Sequence, residues 1–275
     1  MAEFSIIERM LLCCQLGQPV QPLSSMEFNR LSEELRLYPQ IDMDALGYSP
    51  RICQRVQALL SREEALWDYV RAVPEIQPIW PGHALYPLRL ELLQEEMPPV
   101  LFCKGDPDLL LGEHISVVGS REPAEANAAF ARTLGERIAE EGFTLVSGNA
   151  RGIDTIAQEA CLAAGGKVVA FGPDTLKNYP ERQNVLYLSD EGYDRFFTAQ
   201  RALRRNIYIH GLGKLCFVAQ CAKTAGGTWQ GSTDNLRHGR SPLYLYSDGT
   251  AGADALLRLG AKPLYAAPEN LRALL

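Results

Sequence analysis

The stretch Phe143–Ala164, "FTLVSGNARGIDTIAQEACLAA", decides how the rest of the chain is read. An apolar run (FTLV) passes through two glycines, a serine, an asparagine and an arginine into an amphipathic run. That is the grammar of a strand, a tight turn and a helix. One or two small residues suffice for the turn; Ser147, Gly148, Asn149 and Arg151 together suggest that it also holds something. Working outward, short runs rich in β-branched and aromatic residues recur from about Val100: "VLFCK", "ISVVG", "KVVAFG", "LCFVAQ" and "PLYLYS". Helical segments lie between most of them, among them "AEANAAFARTLGERIAEEG" and "ADALLRLGA". Continuous apolar strands alternating with helices predict a Rossmann-like, doubly wound, mostly parallel sheet covered on both faces. In such sheets ligands bind outside the carboxyl ends of the strands.

Residues 1–75 read differently. "SIIERMLLCCQL", "SSMEFNRLSEELRL" and "RICQRVQALLSREEALWDYV" repeat apolar residues at helical spacing, with Ser24 or Ser25 as an N-cap and Pro50 just ahead of the third segment. A small all-helical N-terminal domain is expected there, joined by the proline-rich tract from Val73 onward to an α/β domain over 76–275.

Composition bounds the function. The 275 residues are 47% hydrophobic and 22% charged, as in soluble globular proteins. No apolar run approaches the ~20 residues a membrane-spanning helix needs, and the acidic start "MAEFSIIERM" lacks a secretory leader's pattern. Seven cysteines form no Cys-x-x-Cys pair and sit mostly in apolar runs, as buried free thiols in a cytoplasmic protein do. The four histidines are scattered, so no metal site is expected. A net charge of −6 argues against a basic coat for duplex DNA. One basic window stands out: "RFFTAQRALRRNIYIHGLGK" (195–214) holds four arginines and a lysine, no acid, and interleaved aromatics. Such a window suits single-strand binding, with cations on phosphates and rings on bases.

Three glycine-bearing turns follow expected strands: Gly119-Ser120-Arg121, Ser147-Gly148-Asn149 with Arg151, and Gly226-Gly227-Thr228. Each places backbone amides or a helix N-terminus at the carboxyl edge of the sheet, an arrangement that favours anions. The arginines add forked donors matched to phosphate oxygens. Lys177, in "FGPDTLKNYPERQN", is a further phosphate contact at the same edge. The Gly-x-Gly-x-x-Gly dinucleotide fingerprint, the Walker lysine and the Gly-x-Ser-x-Gly elbow are absent, and no cofactor is called for.

In this order, "YPLRLELLQEEMPPVLFCKGD", "ISVVGSRE", "LVSGNARGID", "GGKVVAFGPDTLKNYPERQN", "RRNI", "TAGGT" and "LLRLGAKPL" resemble the DNA-processing protein A (DprA/Smf) family over about residues 85–264. The resemblance implies an extended Rossmann fold that binds single-stranded DNA without catalysis, dimerises, and loads the RecA recombinase in DNA recombination and natural transformation. By matching motif it implies Arg121 and Lys177 as leading phosphate contacts, with Ser147, Gly148 and Arg151 shaping the floor. Asp154 would cap the following helix or brace Arg151, and Arg205 and Asn206 match the start of an Arg-Asn-Arg run that Arg204 precedes. Departures from the pattern are Asn149 for glycine, Gln158 for histidine, Gln220-Cys221 for Glu-Ala and Ile207 for the last arginine.

Two further readings stay open. The first is a binder or sensor of a small nucleotide-like ligand, in a defence or stress system for instance, since "TAGGTWQG" faintly resembles the phosphate turn of phosphoribohydrolases. No carboxylate follows that turn before Asp234, so hydrolysis is not expected. The second is a partner-binding module with a vestigial pocket, which would gain if acids neutralised both Arg121 and Arg151.

Overall fold

The computed structural model describes residues 4–16, 20–72, 74–192 and 195–275. Four helices open the chain: α1 (Ile6–Cys13), α2 (Ser25–Leu37), α3 (Pro50–Leu60) and α4 (Glu63–Arg71). Ser24 is the α2 N-cap; its hydroxyl accepts from the Glu27 amide while the Glu27 carboxylate reaches back to the Ser24 amide. A cap of this kind contributes about 1 kcal/mol. The third expected helix is two, because the turn at Ser61–Arg62 breaks it. The buried Arg62 guanidinium donates there to the carbonyls of Leu11 and Cys14. Leu12, Leu23, Phe28, Leu31 and Leu59 form a small core of the helices' own. Met10, Leu11, Leu66 and Tyr69 instead pack onto the sheet domain.

The remaining described residues build a nine-stranded sheet. Its strands are β1 (Gln77–Ile79), β2 (Leu101–Lys104), β3 (His114–Val118), β4 (Thr144–Ser147), β5 (Lys167–Phe171), β6 (Val185–Ser189), β7 (Leu215–Val218), β8 (Leu243–Tyr246) and β9 (Lys262–Leu264). Their spatial order is β1-β2-β6-β5-β4-β3-β7-β8-β9. Every pairing from β6 to β9 is parallel; β2 pairs antiparallel with both β1 and β6. The chain winds outward from β3 to β6, returns beside β3 as β7, and winds the other way, so the order reverses between β3 and β7. A ligand crevice is expected there.

The period-2 geometry of strands explains the unbroken apolar runs. Ile115, Val117, Leu145 and Val168 face one core with α6 (Glu125–Glu140) and α7 (Ile153–Ala163). Val118, Val146, Val169 and Phe171 face the other, with α5 (Leu88–Glu91), α8 (Ala199–Leu212) and α10 (Ala251–Arg258). Trp229 and Leu236 of α9 (Gly226–His238) pack against that second core. Strands β1, β6 and β9 are additions to the sequence reading. Two of them, β1 and β9, carry Pro78 and Pro263 on the sheet's edges, where a missing amide costs no ladder bond but hides the strand from pattern reading. Six of the seven free cysteines are buried. Among the described residues no helix is long and apolar enough to cross a membrane, and no cluster of side chains is placed to hold a metal.

Candidate nucleic-acid interface

The three glycine turns meet at the carboxyl edge of β3, β4 and β7 and hold one another. The Ile153 amide donates to the Ser120 carbonyl at 3.1 Å, and the Thr228 hydroxyl donates to the Gly119 carbonyl at 2.9 Å. Gly152 makes the first contact possible. Its φ of +87° lies in glycine's territory, and a Cβ there would stand 2.4 Å from the Ser120 carbonyl oxygen. Asn149 takes the left-handed conformation, φ +53°, that asparagine tolerates better than most residues.

Around this junction open two adjoining clefts of about 620 and 290 Å³. The larger is bordered by Gly119, Ser120, Arg121, Arg205, Asn206, Gly226, Gly227 and Thr228. The smaller is bordered by Arg121, Gly148, Asn149, Arg151 and Arg205. Arg121, Ala150, Phe197 and Arg205 belong to both. Twelve of the fourteen expected site residues are thus placed at or beside the clefts by the fold, with Ser147 in the floor beneath. Its hydroxyl is buried and accepts from the Gln158 side-chain amide. Lys177 is exposed on a short turn after β5, outside both linings, while its carbonyl accepts from Lys104 Nζ at 3.4 Å. Arg204 also lies outside: its guanidinium is held by Asp190 and Glu191, and this pairing pushes it above the ordinary arginine range.

Electrostatics separate the cations. Arg121 is exposed and has no hydrogen-bond or ion-pair partner among the described residues. Arg151 pairs with Glu122 at 2.6 Å, but both side chains are more than 70% exposed, at 74% and 81%. A pair so wet is worth under about 1 kcal/mol and yields easily to a phosphate. Acids therefore do not neutralise both arginines, and the vestigial-pocket reading gains nothing from this pair. Asp154 does not brace Arg151. It is buried, accepts from the Gly148 and Ala150 amides at 3.1 and 3.3 Å, and lies 3.9 Å from Arg205 Nη1. Burial holds its carboxyl above the ordinary range, with Arg205 and the two amides opposing. The Arg205 guanidinium fills the space over Gly148, where a Cβ would fall 1.2 Å from Nη1.

The basic window is not a free positive face. Glu191 pairs with Arg195 and Arg201, Asp190 and Glu191 with Arg204, Asp154 with Arg205, and Glu113 with Lys214. Each acid lies outside the window, which is why its composition looked unbalanced. At the third turn, α9 starts at Gly226 with no side-chain cap, and its first residues, Gly226, Gly227 and Thr228, border the larger cleft. The Asn206 amide group donates to the Gly227 carbonyl at 3.1 Å and tethers that turn to α8.

His210, which no motif in the sequence marks, also borders the larger cleft; its imidazole is buried, with Nδ1 lacking a partner. Burial and the nearby Arg240 and Arg205 push it down to about 3, and burial pushes His114 down to about 4, from 6.5. The unfolded chain therefore binds more protons below pH 6.5. The stability these neutral rings contribute is complete above that pH and is lost as pH falls toward 4 and 3. Each costs about 2 kcal/mol by pH ~5 at 1.36 kcal/mol per pKa unit. Urea unfolding at pH ~7.5 and ~5 should show this loss, and His210→Gln should remove about half of the histidine share.

Residues 77–274 match the family described as DNA recombination-mediator protein A. The chain belongs to that family. It is 28% identical to the DNA processing protein DprA of Bacillus subtilis over 199 residues, covering 67% of this chain and 66% of that one. It is 28% identical to the protein Smf of Escherichia coli over 244 residues, covering 80% and 65%. The matched segments thus span just under two-thirds of these relatives' lengths. Among solved structures, DprA of Streptococcus pneumoniae superposes with a TM-score of 0.74 at 22% identity, covering 97% of this chain and 95% of that one. Helicobacter pylori DNA processing protein A superposes with a TM-score of 0.61 at 23% identity, covering 70% and 91%. Both show the shared fold, helical N-terminal region included in the first.

Proposed function

We propose that the chain is a non-enzymatic single-stranded DNA-binding protein of DNA processing and recombination, gripping phosphates along the two clefts. One observation carries the reading. The clefts cross the carboxyl ends of β3, β4 and β7, and of the two cations they share, Arg205 is paired with Asp154 while Arg121 has no hydrogen-bond or ion-pair partner among the described residues; the carboxylates on their border, Asp154 and Asp174, already accept hydrogen bonds from backbone amides. Phosphates passing Arg121 would meet the Gly119-Ser120 turn, the Gly148-Asn149 turn with Arg151, and the uncapped amides at Gly226-Gly227-Thr228. Asn206 and Arg205 hold the walls in place, and Lys177 would take a phosphate farther along. The Helicobacter pylori relative is described for its single-stranded DNA-binding mode, which supports this class of ligand. Delivery of the strand to RecA by a cytoplasmic homodimer is the wider role proposed, on the strength of the family resemblance.

The test is fluorescence anisotropy of a labelled ~20-nucleotide strand at two salt concentrations. Arg121→Ala should weaken binding by about tenfold at low salt and flatten the salt slope by roughly one phosphate contact. Lys177→Ala should do less. Salt-independent binding, or an Arg121→Ala protein indistinguishable from wild type, would overturn the assignment.

A small nucleotide-like ligand is the second reading, favoured by the uncapped α9 N-terminus inside the larger cleft. Trp229, Gln230 and Gly231 follow that turn with no carboxylate among them, and the cleft's own Asp154 is engaged by Arg205 and two backbone amides, so binding is favoured over glycosidic chemistry.

A further inference from the structure

Phe196 and Phe197 are 76% and 49% exposed, more than any other large apolar residue of 195–214, where Leu203 is 39% exposed and Tyr208 and Ile209 are buried. Leaving a phenylalanine in water forgoes about 1.5–3 kcal/mol of burial, and two in succession make an exposed aromatic patch of the kind that marks a binding surface. Phe197 borders both clefts, at the same junction as Arg121.

The backbone under this pair is unusually well held. Arg201, 6% exposed, turns back from the first turn of α8. Its Nη1 donates to the carbonyls of Pro173, Arg195 and Phe196 at 2.8, 2.5 and 2.8 Å. Nη2 donates to Ser189 Oγ at 3.1 Å, and Nε lies 2.8 Å from Glu191. The Phe197 amide donates to Asp174 Oδ1 at 3.2 Å, and the Thr198 hydroxyl caps α8 by accepting from the Arg201 amide at 3.1 Å. The rings are therefore exposed on a preorganised backbone, where a ligand pays little to order them.

We propose that Phe197, flanked by Phe196, is a base-stacking platform for the unpaired strand. The proposal rests on the single-strand reading above and deepens it. A ring between two anion-binding clefts matches a polymer in which flat apolar bases alternate with phosphates. Every base offers a π-face, so this contact gives affinity without sequence preference, and duplex DNA, whose bases are stacked internally, cannot use it.

The full chain is titrated against a labelled ~20-nucleotide oligothymidylate and an abasic strand of equal length, for wild type, Phe197→Ala, Phe197→Tyr and Arg121→Ala. Stacking predicts that wild type prefers the base-bearing strand by about tenfold. Phe197→Ala should erase that preference while leaving abasic affinity and the salt slope unchanged, and Phe197→Tyr should keep it. Arg121→Ala should weaken both strands alike. Equal preference in wild type and Phe197→Ala overturns the platform while the phosphate reading stands on Arg121. No salt-dependent binding of either strand by wild type overturns both.

Discussion

Asp154→Ala is expected to lower the unfolding free energy by about 3–5 kcal/mol, the cost of stripping the partner from a buried charge. Asp154 starts α7, on one face of the sheet; Arg205 belongs to α8, on the other. Their contact passes around the carboxyl end of β4 and ties the two helical layers together at the binding edge. Without the carboxylate, Arg205 stays buried with its charge uncompensated, and the Gly148 and Ala150 amides lose their acceptor. Asp154→Asn keeps the shape and, because both amides donate to the same Oδ2, an acceptor for both, but not the charge, so it should cost less. Urea unfolding of the three proteins measures this directly. A loss under about 1 kcal/mol for Asp154→Ala would mean that the pair contributes nothing its solvated parts would not.

Gly152→Ala should be nearly as damaging, for a different reason. The alanine would have to hold φ near +87° and ψ near −129° while its Cβ sits 2.4 Å from the Ser120 carbonyl oxygen and 2.6 Å from the Arg121 carbonyl carbon. The conformational strain alone is about 1–3 kcal/mol. The collision is with backbone, which cannot rotate away, so the Gly119–Arg121 turn must move. Gly165 is the control: its φ is +80°, but nothing lies within 4 Å of a Cβ there. Gly165→Ala should therefore cost only the strain of its backbone angle. Thermal unfolding of both variants separates the two contributions, and strand binding should fall for Gly152→Ala alone, because only that change displaces Arg121. Equal destabilisation with intact binding would show that the two turns do not depend on each other.

The outline of the fold was legible because it follows from local periodicity. The apolar runs around Val117, Val146 and Val169 could only be strands buried on both faces, and the helices between them forced a parallel order. The three glycine turns were legible for the same reason, since each sits directly after a strand and its residues carry their conformational freedom with them. Strands β1 and β9 were obscured by Pro78 and Pro263, which are tolerable only at an edge that the linear chain does not announce. The break between α3 and α4 depends on Arg62 finding the carbonyls of Leu11 and Cys14, some fifty residues earlier.

Charge was the least legible property. Composition presented residues 195–214 as a strip of bare cations, yet Arg204 and Arg205 are neutralised by Asp190, Glu191 and Asp154. Arg121 and Arg151 looked equivalent; one is unpaired and the other meets Glu122. Phe197 and Tyr208 were both aromatics of one window, and folding exposes the first and buries the second. Secondary structure and turn chemistry are set by neighbours three or four residues away, and a single sequence carries them. Whether a cation is free to meet a phosphate, or a ring to meet a base, depends on which distant acid or apolar surface the fold delivers to it, and that is a property of the packed molecule.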